Sequence, residues 1–151
     1  MVGPGDAQIS MTDRSFADTN IWVYAVDGSD PLKQARARAI LEPTPDKDIV
    51  VSAQVLGEFF VVVTGKLARN VSESAASAMV QRMASLPVVA IDGALVSAAI
   101  SGSRAWQVAY WDALIIAAAE TAGCRLLFSE DLAHGRTYGS VTVENPFAQQ
   151  G

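Results

Sequence analysis

The chain has 151 residues, half of them hydrophobic and 18% charged, a length that fits one domain and a composition that excludes a disordered tail. Eleven basic residues stand against sixteen acidic ones, a formal net charge of -5, which excludes a broad basic face gripping nucleic acid through its phosphates. The single cysteine, Cys124, excludes a disulfide within the monomer and, beside Gly123, reads as a small buried hydrophobe.

Met1 to Ser10 is rich in Gly and small polar residues and lacks the basic start and apolar core of a secretory signal. It reads as part of a flexible extension over residues 1–14, with Met11 an alternative start, and the folded domain is expected over 15–147. No run approaches the roughly 20 apolar residues that span a bilayer, so a soluble, cytoplasmic protein without membrane contact is expected.

Ser15 to Asp18 reads as a brief strand ending in an Asp-Thr-Asn turn, and Asn20 to Ala25 as a helix start that Asp18 or Thr19 can cap. Pro31 to Leu41 places Leu32, Ala35, Ala39 and Ile40 at helical spacing with Lys33, Arg36 and Arg38 outward, and Pro43 and Pro45 end it. Ile49 to Val51 is a short buried strand. Ser52 caps a helix running to about Ala68, apolar at Val55, Leu56, Phe59, Phe60 and Val63 but interrupted by Glu58. A helix over Glu73 to Ser85 precedes a strand over Pro87 to Ile91. Asp92 can cap a helix from Ala94 to about Arg104, and Tyr110 to Ala122 is strongly helical and stops at Gly123. Strands over Arg125 to Phe128 and Val141 to Glu144 complete the chain, which shows no internal repeat.

Five strands separated by helices predict an α/β domain with a mostly parallel sheet, because parallel neighbours need crossovers and helices usually fill them. Ligands in such sheets bind outside the carboxyl ends of strands near a switch in strand order. Asp18 and Asp131 fall there. Asp112 falls in the first turn of its helix, and Glu58 one to two turns into another. A buried carboxylate is costly unless paired, hydrogen-bonded or metal-bound, and these four lack Lys or Arg neighbours, which suggests one shared cation site. Each also has a plain structural reading: Asp18 as an N-cap, Asp112 as an acid favoured by the helix dipole, Glu58 on a solvent-facing stripe, Asp131 as an ordinary loop acid.

Clustered carboxylates raise one another's pKa values unless a cation offsets the repulsion. Mg²⁺ and Mn²⁺ prefer hard oxygen ligands and keep several waters, whereas zinc is disfavoured because His134 and Cys124 are alone of their types. Such ions stabilise the attacking water and leaving oxygen of a phosphodiester.

The segments Phe16-Ala17-Asp18-Thr19-Asn20-Ile21, Gln54-Val55-Leu56-Gly57-Glu58-Phe59, Tyr110-Trp111-Asp112-Ala113-Leu114-Ile115 and Leu127-Phe128-Ser129-Glu130-Asp131-Leu132 resemble the four acidic motifs of PIN-domain ribonucleases, especially VapC-type toxins. The likeness spans Ser15 to Pro146 in matching order and spacing. It implies a PIN-like three-layer α/β/α fold around a mostly parallel sheet of about five strands, and Mg²⁺- or Mn²⁺-dependent cleavage of RNA, restrained by a cognate antitoxin. It further implies Asp18 and Asp112 as main metal ligands, with Glu58 and Asp131 completing the catalytic pocket. Thr19, Asn20 and Ser129 match positions that brace carboxylates or position water and phosphate, with capping and turn formation the equal alternative. A homodimer carrying an antitoxin on each protomer is the expected assembly.

Other residues carry less. Glu130 reads as solvent-facing, or as exchanging roles with Asp131, and His134 as an exposed loop histidine. Trp106, Tyr110 and Trp111 suit the core or a partner surface better than base stacking, and Phe59 to Val63 suit the core, with an apolar groove for an antitoxin helix as the lesser option. Two other readings stay open: a non-catalytic PIN-like interaction module, and an aspartate-based phosphotransfer domain using Asp18. The second is weakened because Asn20 stands where a dehalogenase-type pattern wants another Asp.

Overall fold

In the computed structural model, residues 13–148 are described. The N-terminal extension expected up to residue 14 and the alternative start at Met11 lie outside them, except that Asp13 and Arg14 already belong to the first strand.

The sheet has six strands in the order β3-β2-β1-β4-β6-β5. These are β1 (Asp13–Ala17), β2 (Lys47–Ser52), β3 (Val88–Val89), β4 (Leu126–Phe128), β5 (Thr137–Tyr138) and β6 (Val141–Glu144). Every pairing is parallel except β5 with β6. Six helices among the described residues fill the connections: α1 (Thr19–Val26), α2 (Pro31–Leu41), α3 (Ala53–Gly65), α4 (Glu73–Met83), α5 (Gly93–Trp106) and α6 (Tyr110–Thr121). None is long and apolar enough to cross a membrane.

Strand periodicity divides the core into two layers. Phe16, Val50 and Leu127 cluster with residues of α3 to α6, while their neighbours Ala17, Ile49 and Phe128 cluster with residues of α1 and α2. Alternate side chains point to opposite faces, so a strand covered on both faces reads as continuously apolar. Side-chain caps start most helices: Asp30, Ser52, Ser72 and Asp92 each accept from the backbone N–H three residues on, satisfying donors that the helix leaves free.

The mostly parallel α/β class is as expected, with differences at the margins. β1 begins at Asp13 because Asp13 and Arg14 pair with Lys47 and Asp48 of β2, polar residues that apolar patterning leaves out. β3 is only two residues long, and α3 stops at Gly65. α5 runs on to Trp106 and ends where Gln107 adopts a left-handed conformation (φ 57°). The sixth strand, β5, was not foreseen. It forms a hairpin with β6 across Gly139, whose φ of 58° suits a tight turn, and the Glu120 carboxylate accepts from the Ser140 N–H at 3.0 Å.

After β1 the chain moves outward to β2 and β3, then crosses to the far side of β1 to lay down β4. The strand order therefore switches between β1 and β4, and Ala17 pairs with Phe128 there. Asp18 and Ser129 are the next residues on the two strands, and the Asp18 N–H donates to the Phe128 carbonyl at 2.9 Å.

Candidate active site

Asp18 is buried (8% exposed). One carboxylate oxygen accepts from the Thr19 N–H at 2.7 Å and the other from the Ser129 hydroxyl at 2.8 Å. Burial is the largest influence on its acidity and lifts its pKa to about 6; the two hydrogen bonds oppose the rise, and the charges of Asp131 and Glu58 add to it. Asp112, half-buried in the first turn of α6, is likewise raised, first by burial and then by Asp131 and Glu58. Both acids thus sense the same two neighbours, so the four carboxylates occupy one electrostatic neighbourhood although Asp18 and Asp131 stand more than a hundred residues apart in the sequence.

Glu58 and Asp131 are more exposed and are held by the turn after β1. The Thr19 hydroxyl donates to Glu58 Oε1 at 2.8 Å, and Asn20 Nδ2 donates to Asp131 Oδ2 at 3.1 Å. The Ser129 hydroxyl oxygen also accepts from the Asp131 N–H at 3.2 Å, so one side chain links two of the acids. Thr19, Asn20 and Ser129 therefore brace carboxylates as well as shape their turns. No Lys or Arg among the described residues hydrogen-bonds or ion-pairs with any of the four acids. Equally, no three His, Cys, Asp or Glu side chains among the described residues are gathered closely enough to hold a metal ion as they stand.

Gln54 is a site residue the sequence did not mark. Its Nε2 reaches the Trp111 carbonyl at 3.3 Å and Glu58 Oε2 at 3.4 Å, tying α3 to the start of α6. Its Oε1 is buried without a donor among the described residues. In the sequence Gln54 stood only at the head of the Gln54 to Phe59 segment, one turn before Glu58, with no role assigned to it. Trp111, beside Asp112, is 63% exposed and packs edge-on against Tyr110 with ring centroids 4.9 Å apart. Trp106 instead lies against Tyr138, as a core reading requires.

The remaining expectations divide. Glu130 is not solvent-facing and does not replace Asp131: it is half-buried, ion-paired with Lys33 and hydrogen-bonded to Tyr24. The outward placement expected for Lys33 fails for the same reason, while Arg36 and Arg38, though exposed, donate to the carbonyls of Pro146 and Ala25. His134 is exposed, and its Nδ1 accepts from the Asn145 N–H at 3.0 Å. Cys124 is buried and its thiol is pushed up to about 11 by that burial. Beside the acids lies a groove of about 740 Å³ lined by Thr19, Asn20, Glu58 and Asp131 together with Val23, Tyr24, Val61, Val62 and Lys66; the more buried Asp18 and Asp112 are outside its lining.

The family model of the PIN domain matches residues 15–139. Among solved structures, a toxin-antitoxin complex from Klebsiella pneumoniae superposes with a TM-score of 0.63 at 16% identity, covering 88% of this chain and 98% of that one. VapBC2 from Rickettsia felis, bound to a DNA fragment from its promoter, gives 0.60 at 15%, covering 87% and 98%. VapC20 of Mycobacterium tuberculosis, a sarcin-ricin loop cleaving toxin, gives 0.57 at 20%, covering 78% and 91%. At these identities the likeness is one of fold. No curated protein matches the chain significantly.

Proposed function

Because the chain belongs to the PIN-domain family, we propose that it is a divalent-metal-dependent endoribonuclease, the toxin of a toxin-antitoxin pair. One observation carries this reading: Asp18, Glu58, Asp112 and Asp131, from four separate elements, share one electrostatic neighbourhood beside the switch point of the sheet, and no Lys or Arg of the described residues is ion-paired to any of them. Such a charge set is costly in a protein that does not use it.

The donors are all hard oxygens, which fits Mg²⁺ or Mn²⁺. Asp18 and Asp112 are the main ligands and Glu58 and Asp131 complete the pocket. Mg²⁺ ordinarily keeps several waters and would need only one or two of these carboxylates directly. The ion supplies charge for the attacking water and for the oxygen that leaves the phosphodiester. The chain's own part is orientation: Ser129 and the Thr19 N–H fix the Asp18 carboxylate, Thr19 and Gln54 hold Glu58, and Asn20 holds Asp131. Hydrolysis at one phosphodiester consumes one water and leaves two RNA ends.

The nuclease unit is the domain over 15–147, extended by the strand residues Asp13 and Arg14. RNA is the substrate, as the sarcin-ricin loop is for VapC20, and an antitoxin is the partner, as in the Klebsiella and Rickettsia complexes. The Val23, Val61 and Val62 side of the groove suits the apolar face of an antitoxin helix. We assign the protein to the cytoplasm, where RNA is available, and to a homodimer. A non-catalytic PIN module is the second reading, favoured by the lack of a pre-gathered metal group. The phosphotransfer reading is set aside, because Asn20 stands where that pattern wants a second Asp, and its amide is hydrogen-bonded to Asp131 and to the Glu130 N–H.

The test incubates a pool of structured RNAs with wild type or Asp112→Asn in Mg²⁺, Mn²⁺ or EDTA, with Mn²⁺ binding followed by calorimetry. Metal-dependent cleavage by wild type and a loss of about 100-fold or more in the variant is expected. Wild type that neither cuts RNA nor binds Mn²⁺ sinks the nuclease and leaves the interaction module.

A further inference from the structure

The loop after β4 carries two adjacent acids that are sent in opposite directions. Asp131 enters the groove, held by Asn20. Glu130 turns the other way, into a cluster built by three distant parts of the chain. The Lys33 ammonium of α2 ion-pairs with Glu130 Oε2 and donates to the Tyr24 hydroxyl at 3.2 Å. The Tyr24 hydroxyl donates to Glu130 Oε1 at 2.6 Å. Above them, Phe147 packs edge-on against Tyr24 with centroids 5.0 Å apart, and Lys33 Nζ lies 4.8 Å and 5.3 Å from the two ring centroids. An isolated surface ion pair contributes little, but here the cation is held by a carboxylate, a hydroxyl and two aromatic faces.

The segment bringing Phe147 is itself pinned. Arg36 donates to the Pro146 carbonyl at 3.2 Å, the Phe147 N–H to Asn145 Oδ1 at 2.9 Å, and the Asn145 N–H to His134 on the far side of the loop at 3.0 Å. The Glu130 N–H donates to Asn20 Oδ1 at 3.2 Å while Asn20 Nδ2 holds Asp131, so the grip on Glu130 passes to Asp131 through one amide.

We propose that Lys33, Tyr24 and Phe147 are positioning residues that clamp Glu130 and thereby fix where Asp131 stands in the acidic groove. The clamp also withholds a fifth carboxylate from that groove. Its significance for cleavage rests on the nuclease reading; its action on the loop does not.

The test compares wild type with Lys33→Met, Lys33→Arg, Glu130→Gln, the double variant Lys33→Met/Glu130→Gln and the control Arg38→Met, which removes a cation from the same helix. Hydrogen exchange is read at the amides of Ser129 to Leu132 and, for reference, at Val50 and Leu127, and Mn²⁺ affinity is read by calorimetry. Lys33→Met is expected to speed exchange at Glu130 and Asp131 by about 10-fold and weaken Mn²⁺ binding by a similar factor, with the reference amides unmoved. Glu130→Gln matches it, the double variant adds nothing further, Lys33→Arg recovers most of the loss and Arg38→Met is silent. Exchange and Mn²⁺ affinity unchanged in Lys33→Met, or exchange faster at all amides alike, overturns the clamp and leaves the nuclease intact. Faster exchange confined to the loop in a wild-type background that binds no Mn²⁺ sustains the clamp and removes the nuclease.

Discussion

Asp18 shows what one buried carboxylate costs the fold. Its pKa in the folded protein is raised from the ordinary 3.8 to about 6 by burial, so the folded state holds the proton more tightly than the unfolded chain. The cost of keeping it charged is absent below about pH 4 and complete above about pH 6, so this group makes the metal-free protein less stable as pH rises through that window, by ~3 kcal/mol at most. Asp112 is raised in the same direction. In EDTA, urea midpoints for wild type are therefore expected to fall between about pH 4 and pH 6. Asp18→Asn removes most of that slope and is the more stable protein at pH 7, provided Ser129 can satisfy the new amide. A wild-type midpoint that rises over the same interval contradicts the assignment. That these acids interrupt apolar segments was legible in the sequence. Gln54 and the Lys33 grip on Glu130 were not, because a polar side chain's partner lies elsewhere in the chain and leaves no local mark.

Among the elements, α5 illustrates a constraint that periodicity hides. A Cβ added at the buried Gly102 would stand 2.3 Å from the ring of Trp106, one turn on in the same helix, and that ring packs against Tyr138 of β5 with centroids 5.8 Å apart. Alanine is ordinarily the better helix former, by about 1 kcal/mol. Here the clash wins, and Gly102→Ala is expected to destabilise by about 1–3 kcal/mol, read as a lowered urea midpoint at unchanged slope; a stabilised variant shows that the ring can move. The sequence placed α5 from its apolar spacing and the Asp92 cap but ended it two residues early. Its true end depends on Gln107 adopting a left-handed conformation that only its surroundings enforce. β5 was missed for a similar reason: two residues form a strand only when β6 is there to pair with them.

For the whole molecule, the two apolar layers on either side of the sheet are complete without a metal. EDTA alone is therefore expected to leave thermal melting cooperative, whereas saturating Mn²⁺ raises the melting temperature by ligand linkage, about 2.7 kcal/mol at a hundredfold excess over Kd; calorimetric melts with and without the ion decide it, and no shift in wild type argues against binding. What the sequence by itself determined was the alternation of elements, the parallel class of the sheet, and which acids interrupt apolar segments, because these follow from side-chain period, capping and the cost of a buried charge, all local properties. What only the tertiary structure decided was which side of β1 the fourth strand joins, and hence that the turns carrying Asp18 and Asp131 lie side by side. Tertiary structure also decided that Glu130 turns away to Lys33 while its neighbour enters the groove. Those choices are set by contacts between residues more than a hundred positions apart, and no window of sequence contains both partners.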